Sequence, residues 1–82
     1  MSEEKVLEKV IQLFSTMTEA EEIRPGSELM EDLDISSMDV LYLVSCLEEE
    51  FNVKISESAI RRMFTIRDVA EIICQLKDAS NT

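Results

Sequence analysis

Glycine and proline occur once each in these 82 residues, and they are neighbours, Pro25 and Gly26. Both residues interrupt helices, proline because it lacks an N–H and glycine because its backbone is so free. A chain that has them at one place only is predicted to form a long loop there, and its other segments can be helical. No stretch of useful length alternates apolar and polar residues as a strand does. The sequence therefore predicts an all-α fold with a long first loop.

Three segments carry apolar residues at steps of three and four, the spacing of an amphipathic helix. The first predicted helix starts near Ser2 and ends between residues 15 and 18. A short third helix is predicted after Ser56 and a last long helix after Thr65, because both residues are good N-caps. The tail from Asp78 is expected to fray. With the second helix, this makes a small bundle of three main helices and one short helix.

The second helix has the clearest boundaries. Its start reads Ser36-Ser37-Met38-Asp39, where Ser36 is the expected N-cap and Asp39 can bond back to it in a capping box. Asn52 is the predicted end. The predicted core of the bundle includes Val10, Phe14, Leu43, Leu47, Val69 and Ile72.

Negative charge is concentrated around the long loop. The formal net charge is −10, from 18 acidic and 8 basic residues. Residues 17–39 hold eight carboxylates and one cation, Arg24, a formal charge of −7. Such a field repels nucleic acid and anionic lipid headgroups and attracts proteins with basic patches. We expect protein partners and no nucleic acid, although net charge alone is equally typical of any small acidic domain.

Composition excludes several chemistries. The chain has no histidine, which removes imidazole bases and most zinc sites. Its two cysteines, Cys46 and Cys74, fit neither a metal-ligand spacing nor a disulfide framework, so we expect small buried thiols in a reducing cytoplasm. The first residues have no signal-peptide layout, and no apolar run is long enough to span a bilayer. We predict no catalytic residue and no metal site.

A calcium-binding loop beginning at Asp32 fails at its two most demanding positions. The sixth position is Ser37 instead of glycine, and the twelfth is Leu43 instead of glutamate.

The start of the second helix is the candidate functional site. The first backbone N–H groups of a helix have no partner inside it, and the helix dipole is positive there. A phosphate at such an end is stabilised by about 0.3–1 kcal/mol. A serine at the first turn, Ser37, could hold a phosphodiester there covalently and facing outward. Serines before a helix are far more often simple caps, so spacing alone does not decide.

The sequence around these serines resembles the acyl carrier protein family. In that family an Asp-Ser-Leu motif starts the second helix and its serine carries 4'-phosphopantetheine; the matching residues here are Ser36-Ser37-Met38. Residues 31–33 resemble the family's loop end, residues 47–51 the end of its second helix, and residues 65–73 its final helix. The resemblance covers roughly residues 6–76 and keeps the order of the elements.

The resemblance implies a single carrier domain over residues 1–82, ordered at about residues 3–77, that is a cytoplasmic monomer and not an enzyme. A phosphopantetheinyl transferase would move the 4'-phosphopantetheine arm from coenzyme A to Ser37, and the arm would carry an acyl group as a thioester. Further partners would be acyl-transferring or synthase enzymes of lipid, fatty acid or polyketide-type synthesis, whose basic patches bind the acidic second helix. The partner-binding residues implied in this way are Met38, Asp39, Tyr42, Glu48 and Glu49.

Four positions depart from the family's pattern. Ser36 replaces the aspartate of the motif and Met38 its leucine. Asp34 stands where glycine is common, and Tyr42 where many members carry an acidic residue. Two acidic charges are thereby missing from the region that partners read, which indicates a specialised carrier rather than the housekeeping one of fatty acid synthesis.

Two other readings stay open from the sequence. One is an aminoacyl or peptidyl carrier, although the acidic second helix favours acyl cargo. The other is an acidic helical adaptor that is never modified and uses the same amphipathic helices for binding. For a carrier, the predicted core could part to shelter an apolar chain, and a plain packed core explains the same residues.

Overall fold

A computed structural model describes residues 2–18 and 22–80. It contains four helices: α1 (Glu3–Ser15), α2 (Ser37–Phe51), α3 (Glu57–Ile60) and α4 (Ile66–Ser80). Within the described residues there is no strand, only one isolated bridge between Glu28 and Thr65. The all-α prediction of three main helices, one short helix and a long first loop is confirmed. Two carboxylates of the acidic stretch, Glu19 and Glu21, lie outside the described residues.

Helix α1 begins and ends where the apolar spacing predicted. The Ser2 hydroxyl accepts a hydrogen bond from the Lys5 backbone N–H at 3.3 Å, which caps the first turn. Val6, Val10 and Phe14 form its buried stripe, and this side of α1 packs along α4. Because these positions are four residues apart, they lie on one face of the helix.

Helix α4 is longer than the sequence predicted. It runs to Ser80, so it continues past Asp78, where we expected fraying. Near its end the Lys77 ammonium donates a hydrogen bond to the Phe51 carbonyl oxygen at 3.1 Å. This bond joins the last turns of α4 and α2, which gives the end of α4 a tertiary contact that the sequence pattern did not indicate.

The first loop is held against the beginning of α4. A turn closes it at Pro25-Gly26, where the Ser27 backbone N–H donates to the Arg24 carbonyl at 2.9 Å. Further along, the Leu29 N–H donates to the Phe64 carbonyl at 2.9 Å, and the Ile66 N–H to the Ser27 carbonyl at 3.1 Å. The loop is therefore fixed by backbone bonds along the segment that leads into α2.

All six residues predicted for the core are buried. The loop adds its own apolar side chains to them, and α3 adds Ala59 beside its predicted cap, Ser56, whose hydroxyl accepts from the Ala59 N–H at 3.2 Å. Met63 is buried although it lies beyond the end of α3. The core residues contributed by the loop are Leu29, Leu33 and Ile35.

Candidate functional site

The start of α2 has the capping box that the sequence predicted. Ser36 is in extended conformation, and its hydroxyl oxygen accepts from the Asp39 backbone N–H at 3.2 Å. In return, Oδ2 of Asp39 accepts from the Ser36 backbone N–H at 3.1 Å and from the Ser36 hydroxyl at 2.9 Å. The Ser36 hydroxyl therefore acts as donor and acceptor within the cap.

Ser37 is the first residue of α2 and is exposed. Within the described residues its hydroxyl makes no hydrogen bond, in contrast to that of Ser36. The backbone N–H groups of Ser37 and Met38 lie in the first turn, where no helical carbonyl can reach them. An exposed hydroxyl beside amide donors without helical partners is a place where a phosphate group on Ser37 would be stabilised.

The loop enters α2 through a left-handed residue. Asp34 has φ of 53°, a region that favours glycine, and aspartate is one of the few other residues that adopt it at moderate cost. Glycine would adopt this conformation at no steric cost.

A cavity of about 550 Å³ opens directly beside Ser37. Its walls come from the first loop, the first turns of α2, and the segment around the end of α3. The lining residues are Glu28, Leu29, Met30, Glu31, Ser37, Met38, Val40, Leu41, Ile60, Arg61, Met63 and Phe64.

Four of the five exposed large apolar side chains of the described residues line this cavity. Met38 and Phe64 are the most exposed, at 74% and 67%, and Met30 and Leu41 also line the cavity. Tyr42 follows Leu41 on α2 and is exposed as well. Contiguous apolar surface of this kind marks a site of binding. The sequence analysis named Met38 and Tyr42 but missed Met30, Leu41, Phe64 and Arg61.

Three comparisons with known proteins agree with this geometry. Residues 8–73 match the family model described as a phosphopantetheine attachment site. An acyl carrier protein of Helicobacter hepaticus is 36% identical over 65 residues, 79% of this chain and 86% of that protein. One from Cyanidioschyzon merolae is 34% identical over 94% of this chain and 87% of its own length. This chain belongs to the acyl carrier protein family.

The fold agrees with that of a solved family member. The crystal structure of an acyl carrier protein from Thermotoga maritima superimposes with a TM-score of 0.81 at 23% identity, over 98% of this chain and 95% of that one. As an acyl carrier protein the chain is a carrier and not an enzyme, and its family's cofactor is 4'-phosphopantetheine.

The predicted acidic face of this acyl carrier protein is only partly free for partners. Asp39 and Glu49 are exposed, as expected, although one oxygen of Asp39 is used in the capping box. Glu48 is different: it is half-buried, and its Oε2 accepts from the Ile55 backbone N–H at 2.8 Å. Glu48, which the resemblance implies as a partner-binding residue, is therefore less available to a partner than Asp39 and Glu49, because its carboxylate fixes the connection after α2.

The carrier's two thiols are partly buried; the sequence predicted small buried thiols. Burial raises the pKa of the Cys74 thiol, and the carboxylates of Glu3, Asp78 and Glu71 raise it further. Cys74 is thus held as a neutral thiol. Within the described ranges no group of three or more acidic or thiol side chains could hold a metal ion, and no helix there is long and apolar enough to cross a membrane.

Proposed function

We propose that Ser37 is the attachment point of the 4'-phosphopantetheine arm of this carrier. The observation that carries the proposal is the difference between the two neighbouring serines. The Ser36 hydroxyl is used twice in the capping box, whereas the Ser37 hydroxyl is exposed and without a hydrogen bond in the described part of the chain. An enzyme that approaches the start of α2 therefore meets one available hydroxyl.

The loading reaction needs little from the carrier itself. The Ser37 hydroxyl would bond to the phosphorus next to the pantetheine of coenzyme A, release adenosine 3',5'-bisphosphate and lose its proton to a base of the phosphopantetheinyl transferase. The amides of Ser37 and Met38, which lack partners inside the helix, and the positive end of α2 would favour the charge of a phosphodiester on Ser37. When bound, the arm supplies a thiol that holds the cargo as a thioester.

We further propose that the cargo is an acyl group and that the partners are enzymes of lipid, fatty acid or polyketide-type synthesis. The acyl carrier proteins among its relatives support this choice over an aminoacyl or peptidyl carrier. Both cysteines are free, which supports a reducing compartment such as the cytoplasm. A net charge of −10 on each copy favours a monomer.

The decisive experiment loads the apo protein with coenzyme A and a broad-specificity transferase. Intact mass should rise by one phosphopantetheine in the wild type and in Ser36→Ala, and should not change in Ser37→Ala. Circular dichroism checks that both variants are folded. A mass gain in Ser37→Ala would reject the site, and failure of the wild type to gain mass would favour the unmodified adaptor.

The proposed partner face consists of Met38, Asp39, Tyr42 and Glu49, with Glu48 contributing its charge while it holds the chain after α2. Partners with basic patches should bind less tightly as salt is added, because exposed charges are screened within about 8 Å at 0.15 M ionic strength. Asp39→Asn and Glu49→Gln should each lower kcat/KM of loading at low salt. Glu71→Gln, which removes an exposed charge from α4, is the matched control. An equal effect of all three substitutions would contradict a partner face on α2.

A further inference from the structure

The cavity beside Ser37 has rims of opposite charge. Glu28 and Glu31 of the first loop line one part of it, and Arg61 lines the part next to α3. Arg62 follows Arg61 and is exposed next to the cavity, although it is not one of the lining residues. The two arginines are a local exception on a chain whose net charge is −10.

The arginines have bonding capacity left for a partner. In the described ranges Arg61 has one ion pair, to Glu57, with 4.0 Å between the charged atoms and side chains that are 78% and 88% exposed. Such a long, solvated pair is weak. A guanidinium has five N–H donors that match a carboxylate geometrically, so Arg61 can bind an acidic group without giving up a strong contact.

The two rims are fixed relative to each other by backbone bonds. The Leu29 N–H donates to the Phe64 carbonyl at 2.9 Å, which ties the acidic rim to the segment after the arginines. The Phe64 N–H donates to Oδ2 of Asp68 at 3.1 Å. The exposed ring of Phe64 is thus carried by a backbone that is bonded on both sides, and the surface is formed before a partner arrives.

We propose that this groove docks an amphipathic segment of a partner enzyme whose apolar side chains are flanked by carboxylates facing Arg61 and Arg62, and by cations facing Glu28 and Glu31. The inference rests on the proposed function, since such a partner would approach the carrier beside Ser37. A wholly basic segment, which the net charge alone would attract, meets Arg61 at the groove and Arg62 next to it. A second copy of the chain is disfavoured because both copies carry −10. The arginines thereby discriminate among partners that the acidic helix would all attract.

Two synthetic helical peptides test the proposal. Both have the same apolar face and lysines on one flank; the first has glutamates on the other flank, and the second has glutamines there. Bulk attraction to a protein of charge −10 would make the glutamine peptide, which is more cationic, bind more tightly. The proposal predicts the reverse order, with the glutamate peptide tighter by about threefold to tenfold from contacts with two arginines.

The dissociation constants are measured by amide chemical-shift titration of the apo and the loaded protein. In Arg61→Gln/Arg62→Gln the order of the two peptides should invert. Lys54→Gln/Arg67→Gln is the matched control, because it removes the same charge from residues outside the turn after α3, neither of which lines the groove, and it should keep the wild-type order. Phe64→Ala should weaken the binding of both peptides. It should not unfold the protein, since this ring is largely exposed.

Three results would overturn the proposal: tighter binding of the glutamine peptide to the wild type, the same order in both double variants, or no shifts around the groove up to about 1 mM peptide. Sedimentation of the protein alone tests whether a second copy of the chain occupies the groove. A dimer that forms in the wild type and is lost in Phe64→Ala would reject a partner enzyme as the occupant. Loading of Ser37 is followed by mass in every variant, so failure of the docking surface is distinguished from failure of the attachment site.

Discussion

Helices α2 and α4 begin with the same hydrogen-bonded cap, but the first residue of each helix lies in a different environment. At α2 the cap is Ser36 with Asp39; at α4 the Thr65 hydroxyl accepts from the Asp68 N–H at 3.2 Å, and Asp68 accepts from the Thr65 N–H at 3.0 Å. The next residue differs. Ser37 is exposed at the start of α2, whereas Ile66 at the start of α4 is 0% exposed.

This comparison separates two features of a helix start: the residue at which the helix begins, and whether that end faces solvent or the core. The cap residues decide where the helix begins, because they satisfy its first amides. The first helical residue shows which way that end faces, to solvent or to the core. A hydroxyl available for chemistry therefore needs both a cap beside it and an end of the helix that is left uncovered.

The largest expected effect comes from giving α4 the serine of α2. Ile66→Ser should lower the free energy of unfolding by about 3 kcal/mol, because it replaces a fully buried side chain with a smaller polar one. When combined with Ser37→Ala it should gain no phosphopantetheine, since this start of a helix faces the core. Urea unfolding and intact mass measure the two results.

Ile66→Val is the control for packing and should cost about 0.5–1.5 kcal/mol. A mass gain in Ile66→Ser/Ser37→Ala while the protein remains folded would break the comparison, because exposure would then not be what distinguishes the two starts.

Removing the capping aspartates should have the next largest effect on stability. Asp39→Ala and Asp68→Ala each take away a carboxylate that accepts two hydrogen bonds, and each should lower the free energy of unfolding by about 1–2 kcal/mol. Only Asp39→Ala should slow loading, because Asp39 lies two residues from Ser37. Thermal melts and loading rates below the transition separate the effects, and equal slowing by Asp68→Ala would contradict a local role for Asp39.

The cap hydroxyls themselves should contribute less. Ser36→Ala and Thr65→Ala should each cost about 1 kcal/mol, and Ser36→Gly only a few tenths. Both Ser36 variants should still accept the arm at Ser37. If Ser36→Ala folds and is not loaded while Ser36→Gly is, the methyl group rather than the lost hydroxyl blocks the enzyme.

The smallest expected change concerns the path into α2. Asp34→Gly should raise the free energy of unfolding by about 0.5–1 kcal/mol, because φ of 53° costs glycine nothing. Asp34→Ala retains the Cβ and loses the polar side chain, so it should not stabilise. Urea midpoints rank the three proteins, and a gain in both variants would point to relief of charge repulsion instead.

The sequence was sufficient for those features that depend on neighbours along the chain. The caps at Ser2, Ser36, Ser56 and Thr65 set four helix starts. The spacing of apolar residues alone identified the buried face of each main helix. These features are local, since one residue bonds to another three positions away.

The features that sequence analysis missed depend on contacts between distant segments. Met63 and Phe64 are adjacent and apolar, yet one is 7% and the other 67% exposed. They lie in a short connection, which has no repeating apolar spacing to show which of the two side chains is buried. Glu48 is one of three consecutive glutamates that the sequence does not distinguish. It differs from the others because the chain folds back after α2 and brings the Ile55 backbone N–H within hydrogen-bond distance of its carboxylate. The docking groove is likewise formed by three segments that only the tertiary fold brings together.

In the described residues, the side chains of other helices bond to α2 near its far end. Lys77 of α4 bonds to the Phe51 carbonyl at 3.1 Å, and Lys9 of α1 pairs with Glu50 at 3.5 Å, while within the described residues no side chain of another helix bonds to its first turn. The first turn is held instead by its own capping box and by the buried side chain of Val40. Without a side-chain bond from another helix, the first turn of α2 should exchange its amide hydrogens faster than the last turn, which is bonded to α1 and α4.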